Sequence, residues 1–120
     1  MSFRFRNFQL YKDLRLFVKE IYSLTAKLPT IEKFGLILQL RRAAASILLN
    51  LAEGSMKKSD AEFNRYILIS IGSISEIAAI LDICLDLKYI ASSTHNMYMV
   101  KCESIAKRLY GFSNKLKDKH

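Results

Sequence analysis

Proline and glycine are scarce in this sequence, with one proline and four glycines among 120 residues. That scarcity excludes a collagen-like or loop-dominated chain. Cysteine is scarce too, and the two residues present, Cys84 and Cys102, are too few to cross-link a small secreted domain. Their spacing matches no redox motif, so the sequence predicts two free thiols in a hydrophobic core.

Long apolar runs are also lacking, and the sequence predicts no secretory leader. No apolar stretch continues uninterrupted for the roughly 18 residues that a membrane span needs. The richest stretch, residues 66–87, is interrupted by serines, a glycine and acidic residues. The N-terminal residues lack the apolar core of a signal peptide. We therefore expect a cytoplasmic protein with no membrane partner.

Catalytic and metal-binding motifs are a further absence. The two histidines, His95 and His120, have no Cys, His or carboxylate at ligand spacing on a shared helical face. The chain also lacks glycine-rich phosphate-binding loops and the HExxH zinc motif. The sequence therefore predicts a protein that is not an enzyme and that uses no metal ion or cofactor.

Hydrophobic residues, by contrast, make up 51% of the chain, enough for one globular domain over residues 1–120. They recur at three- and four-residue steps, the spacing of an amphipathic helix. This periodicity predicts four helices, at about residues 10–26, 30–53, 60–87 and 93–115.

Helix boundaries follow from a few polar, proline and glycine residues. Pro29 ends the first helix, and Gly54 is expected to take a left-handed conformation after the second. Ser59 and Glu62 form a capping box at the start of the third. Because the connections are short, the helices are expected to pack as an all-α, antiparallel, up-down-up-down four-helix bundle.

The formal net charge of +8 is unevenly distributed. Residues 1–19 and 101–120 each carry +4, whereas residues 20–100 are balanced. In the predicted topology the start of helix 1, the loop between helices 2 and 3 and the end of helix 4 meet. We call this the basic end; its predicted nucleic-acid contacts are Arg4, Arg6, Lys57, Lys58, Lys115, Lys117 and Lys119. A merely solvated surface is the alternative interpretation.

A second, polar stripe follows helix 2 and has partners on helix 3. Arg42 is expected to lie near Glu76, and Glu53 near Arg65. We interpret the stripe as a structural network of paired groups, and an active site using some of them as the weaker alternative. The predicted network comprises Gln39, Arg42, Ser46, Asn50, Glu53, Arg65 and Glu76.

Two further features concern binding surfaces. Helix 3 is apolar on most of its faces, which favours packing of its second face on another subunit. At the N-terminus, Phe3, Phe5 and Phe8 alternate with arginines. That pattern fits nucleobase stacking with phosphate contact, and it fits equally an apolar segment docked on the bundle or on a neighbour.

The sequence of helices 2 and 3 resembles the bacterial four-helix bundle family encoded in intervening sequences of large-subunit ribosomal RNA genes. The resemblance covers nearly the whole chain. It is most specific in the segments Gln39-Leu40-Arg41-Arg42-Ala43-Ala44, Ser46-Ile47, Asn50-Leu51-Ala52-Glu53-Gly54, Glu62-Phe63 and Arg65-Tyr66.

The resemblance implies a four-helix bundle assembled as a ring-shaped homopentamer. It also implies a relation to the accessory proteins of diversity-generating retroelements, which are basic pentameric bundles that bind nucleic acid and a reverse transcriptase. We therefore expect a non-enzymatic homo-oligomer that binds RNA or DNA through its basic end, largely independently of sequence. The alternative is an interaction scaffold that docks a partner enzyme such as a reverse transcriptase.

Overall fold

A computed structural model describes residues 2–118 and contains four long helices, as predicted. No β-strand occurs in this part of the chain. Two short 3-10 turns, Arg4–Asn7 and Thr30–Glu32, precede the first and second helices. The long helices are α1 (Gln9–Thr25), α2 (Leu36–Ser55), α3 (Asp60–Asp86) and α4 (Ser92–Asp118).

Sequential helices run antiparallel, which is evident where their ends meet. At one end of the α3–α4 pair, Ser113 donates a hydrogen bond to Asn64. At the other end, His95 Nε2 lies 2.8 Å from Asp82 Oδ1. The molecule measures 46 × 27 × 20 Å. Its long dimension fits α3 and α4, because a helix of 27 residues is about 40 Å long.

The core is built from the apolar stripes that the periodicity indicated. Burying one large aliphatic side chain stabilises the fold by about 1.5–3 kcal/mol. Each helix contributes, so the core extends along the whole bundle. Its fully buried large aliphatic and aromatic residues are Leu14, Phe17, Ile21, Leu40, Ile47, Leu51, Ile67, Ile74, Ile77, Leu81 and Leu109.

The predicted start of the second helix is wrong, because α2 begins at Leu36 rather than near Thr30. Gly35 interrupts the helical backbone with φ −109° and ψ −112°. The Glu32 carboxylate accepts from the Leu36 backbone N–H at 3.2 Å and from the Tyr89 hydroxyl at 2.9 Å. The bond to Glu32 raises the pKa of Tyr89. Glu32 thus caps α2 and ties it to the segment that follows α3.

The left-handed cap predicted at Gly54 is also wrong. Gly54 lies inside α2, and no glycine among the described residues has positive φ. The left-handed residue is Lys88, with φ 61°, after α3. There the Lys88 N–H donates to Leu85 and the Tyr89 N–H donates to Cys84, the bonding pattern of a Schellman motif.

Gly54 is required for a different reason, which is the close approach of α3. A Cβ atom at this position would lie 2.6 Å from the Tyr66 Cβ and 2.9 Å from the Phe63 Cδ1. Real Cβ atoms do not approach that closely, so the two helices pack this tightly only because residue 54 has no side chain.

Both cysteines are free and buried, as predicted. Burial raises the pKa of Cys84, and burial followed by the charge of Glu103 raises that of Cys102 to about 12. The ordinary thiol pKa is 9.0. Above about pH 9 a thiol ionises in the unfolded chain but stays protonated in the folded protein. Ionisation then stabilises the unfolded chain and lowers the free energy of unfolding.

The free energy of unfolding is therefore expected to fall as the pH rises from about 9 towards 12. In that interval the unfolded chain binds fewer protons than the folded one. Urea unfolding at several pH values would measure the fall. Cys102→Ala should lower stability at neutral pH through reduced packing, yet make the alkaline fall shallower. An unchanged alkaline fall in the variant would contradict the assignment to Cys102.

By length and composition α3 is apolar enough to cross a membrane. Counting uninterrupted apolar runs did not detect this. Half of its most apolar window is buried inside the bundle, and the core helix of a soluble protein passes the same test, so α3 is only a weak candidate for a span.

Candidate nucleic-acid interface

The N-terminal segment, residues 2–8, packs on its own bundle and fixes the start of α1 at the basic end. The ring centroids of Phe8 and Phe112 are 5.5 Å apart, and those of Phe112 and Phe63 are 5.3 Å apart. Arg4 Nε donates to the carbonyl of Ser55 at 3.0 Å, near the end of α2. Of the two interpretations of the N-terminal aromatic residues, the structure shows the second for Phe8, which docks on its own bundle.

The ends of α3 and α4 meet at the same place. Ser113 of α4 bonds Asn64 of α3, and one shallow groove is lined by Asp60, Leu116 and Lys117, among others. A second groove joins α4 to α1 and is lined by Lys115 and Leu10, among others. The structure thus brings together the three chain segments that were predicted to form the basic end.

The predicted contact residues differ in how free their charges are. Arg6, Lys58, Lys115 and Lys117 are exposed, and their side chains make no hydrogen bond or salt bridge within residues 2–118. Arg4 is also exposed, but one of its guanidinium nitrogens donates a hydrogen bond to the Ser55 carbonyl. Lys57 is half-buried, with Nζ 5.2 Å from the Tyr66 ring centroid. Lys119 lies outside the described residues.

Acidic residues also occur near this end, at Glu53, Asp60 and Glu62. Glu53 and Glu62 are exposed, and Asp60 is half-buried. The basic end therefore carries charges of both signs, with more positive than negative ones.

Elsewhere along α1 and α4, two cations are paired with carboxylates. Lys101 Nζ lies 2.6 Å from Glu20, and Arg108 lies 2.7 Å from Asp13. Hydrogen bonds from Gln9 and from Arg108 hold the pKa of Asp13 below its ordinary value. These two pairs reduce the free positive charge along the flank, where Lys19 and Lys107 remain exposed without a salt bridge among the described residues.

The polar network is smaller than predicted. Ser73 donates to Ser46 at 2.9 Å, and Asn50 donates to the Ser46 carbonyl and hydroxyl. Neither expected ion pair, Arg42 with Glu76 or Glu53 with Arg65, is present among the described residues. These four residues and Gln39 are exposed, because they project from the outer side of the α2–α3 hairpin. Exposed ions in water gain too little from pairing to fix that geometry.

The same outer side carries exposed apolar residues, which we call the outer apolar face: Leu49, Leu68, Ile69 and Ile83. Leu49 is 62% exposed and Ile69 is 47% exposed. Gly72 lies on this face, and an added Cβ would meet nothing within 4 Å. The second apolar side of helix 3 is thus uncovered in one chain, and its contact with another subunit stays a prediction.

Sequence reasoning missed two basic residues, Lys12 and Arg15. Together with Arg6 they line a groove beside Phe3 and Tyr11. Their three-residue spacing at the start of α1 places them on one helix face, and that signal was available in the sequence.

In the described part of the chain, no group of three or more His, Cys, Asp or Glu residues is arranged to hold a metal ion.

Fold and charge together define a small, basic, all-helical bundle protein. Over residues 6–111 the chain matches the family described as 23S rRNA-intervening sequence protein. Because the match covers most of its length, the chain belongs to this family, which confirms the resemblance noted from helices 2 and 3. No curated protein matches the sequence.

Proposed function

We propose that this protein is a non-enzymatic, ring-forming bundle that binds nucleic acid through its basic end. The observation that carries the proposal is the group of exposed cations without ionic partners at that end, contributed by three chain segments: Arg6, Lys58, Lys115 and Lys117.

Such cations fit phosphate groups better than base edges. Each phosphate neutralised by a Lys or Arg releases condensed counterions, and the resulting affinity is independent of sequence and falls steeply with salt. Lysine is well suited to this task because it acts as a mobile point charge rather than as a fixed hydrogen-bonding fork. Largely sequence-independent binding is therefore part of the proposal.

The ring is proposed from the family and from the outer apolar face. Exposed large apolar side chains on one side of a helical hairpin are typical of an interaction surface, so a second copy is a suitable cover for Leu49 and Ile69. Five copies would bring five basic ends close together, which raises the affinity of a phosphate backbone for the assembly over that for one subunit. A cytoplasmic location is consistent with a nucleic-acid ligand and with the two free thiols.

A mobility-shift experiment with structured RNA and duplex DNA, at about 50 and 300 mM salt, tests the proposal. Light scattering on the protein without nucleic acid should give about 69 kDa for five copies of the 13.8 kDa chain. We expect a shift at low salt that is abolished at high salt. No shift at low salt would overturn nucleic-acid binding, and an affinity that does not change with salt would overturn phosphate contacts at the basic end. A monomer mass would overturn the ring.

A scaffold that docks a partner enzyme, such as a reverse transcriptase, is the second candidate. Two residues favour it: Ile31 is 86% exposed and Phe34 is 83% exposed, in the connection between α1 and α2. Aromatic and aliphatic side chains presented in this way are typical anchors of protein interfaces. A purified partner enzyme that binds the wild type and not Ile31→Asp/Phe34→Asp would support it.

A further inference from the structure

The first turns of α1 and the preceding segment form a groove of about 700 Å³. This volume lies within the range of ligand pockets, about 300–1,000 Å³. Apart from the Tyr11 phenol, every ionisable side chain that lines the groove is a cation: Arg6, Lys12 and Arg15. All three residues are exposed, and none of their side chains makes a hydrogen bond or salt bridge within residues 2–118.

The nearest acidic residue in sequence does not neutralise these cations. Asp13 is not among the residues that line the groove, and its carboxylate is held by Gln9 and Arg108. The groove is therefore a place where three positive charges surround a concave surface without an internal counterion. A phosphate group would supply that counterion.

Two aromatic residues, Phe3 and Tyr11, also line this groove, and the Phe5 ring contacts both of them. The Phe3 and Phe5 ring centroids are 5.5 Å apart, and those of Phe5 and Tyr11 are 4.9 Å apart in an edge-to-face arrangement. Phe3 remains 50% exposed at the edge of this cluster. The exposed Phe3 ring packs on Phe5, which in turn packs on Tyr11, so it offers a pre-organised surface for stacking a planar group.

We infer that this groove binds an unpaired nucleotide of a single-stranded nucleic acid. Phosphates of the strand contact Arg6, Lys12 and Arg15, and a base stacks on Phe3. Stacking on aromatic side chains combined with cationic contacts to the backbone is the general chemistry of single-strand binding. In a duplex the base faces are already stacked, so a duplex gains only the phosphate contacts. The inference rests on the proposed function and adds a preference for unpaired strands.

Fluorescence anisotropy with a labelled single strand of about 12 nucleotides and the matching duplex tests the stacking contact. Phe3→Leu keeps an apolar side chain and removes the ring, whereas Phe3→Tyr keeps the ring. We expect Phe3→Leu to weaken single-strand binding about 5- to 10-fold and to leave duplex binding unchanged. Phe3→Tyr should bind like the wild type. If Phe3→Leu and Phe3→Tyr have the same affinity for the single strand and the same affinity for the duplex, the stacking contact is overturned.

The phosphate contacts are tested with a charge-matched pair of double variants. Lys12→Glu/Arg15→Glu reverses two charges in the groove, and Lys19→Glu/Lys107→Glu reverses two exposed charges outside it. We expect the groove variant to weaken single-strand binding at least 10-fold more than the control, at about 100 mM salt. Equal weakening in the two variants would overturn the groove as a site.

A free nucleotide shares the same chemistry and is used as a competitor. We expect ATP to displace the single strand only at millimolar concentration, since it lacks a continuous backbone. Displacement at micromolar concentration would overturn the strand as ligand in favour of a free nucleotide. If neither strand nor duplex binds at low salt, the proposed function fails with the inference. If the duplex binds as tightly as the strand, the inference alone fails.

Discussion

Replacing Lys58, Lys115 and Lys117 together by glutamate is expected to weaken binding to duplex DNA by about 100-fold or more at about 50 mM salt. The three side chains are exposed and make no ion pair within residues 2–118, so each can approach a phosphate. Glutamate removes that attraction and adds repulsion. The slope of log affinity against log salt should also become shallower by about 0.9 for each phosphate that the variant no longer neutralises.

A second triple variant, Lys27→Glu/Lys33→Glu/Lys88→Glu, provides the matched control. Both triples lower the formal net charge from +8 to +2, but the control lysines belong to the opposite end of the bundle. The control should retain most of the affinity and nearly the full salt slope. If the two triples weaken binding equally, binding depends on total charge and not on the basic end. Circular dichroism of both variants would verify that the helices are intact.

The largest expected effect on stability comes from Gly54→Ala. The new methyl group would lie 2.6 Å from the Tyr66 Cβ, and a Cβ atom moves only if the α3 backbone moves. Overpacking in a core costs about 1–3 kcal/mol, and this contact belongs at the upper end of that range. Alanine regains about 1 kcal/mol of helix propensity. We expect a net decrease of about 2 kcal/mol in the free energy of unfolding, measured by urea denaturation.

Gly111→Ala is the matched control for that substitution. Gly111 lies inside α4 and is exposed, and an added Cβ would meet nothing within 4 Å. Only the propensity gain remains, so the variant should be more stable by up to about 1 kcal/mol. If Gly54→Ala stabilises the protein as much as Gly111→Ala does, the close approach of α2 and α3 is not what requires glycine.

The sequence by itself determined the helices and the core, because both depend on local spacing. Apolar residues at three- and four-residue steps placed Leu14, Ile47 and Leu109 on the buried sides of their helices. The Ser59 side chain accepts from the Glu62 N–H at 3.1 Å, as the capping box required. The segments Gln39–Ala44 and Asn50–Gly54 also carried enough family-specific information to identify the family, which the match over residues 6–111 confirmed.

The candidate interface could be predicted from the sequence only in part. The segments that converge were predictable, since short connections leave few topologies. The hydrogen bond from Arg4 to the Ser55 carbonyl could not be predicted. The groove that Lys12 and Arg15 share with Arg6 could not be predicted either. Those features depend on how residues 2–8 fold back onto the bundle, and no periodic pattern encodes that path.

Tertiary structure alone decided the boundaries and contacts that depend on distant residues. α2 begins at Leu36 because Glu32, held by Tyr89 from beyond the end of α3, caps it there. Gly54 is needed because α3 approaches it, although its position near a helix end suggested a left-handed turn. The ion pairs expected between α2 and α3 are absent among the described residues. Exposed charges are well hydrated, so residues at matching heights on two helices gain too little from pairing to form a fixed contact. Local pattern determines secondary structure, whereas contacts between distant residues follow from packing that sequence spacing does not specify.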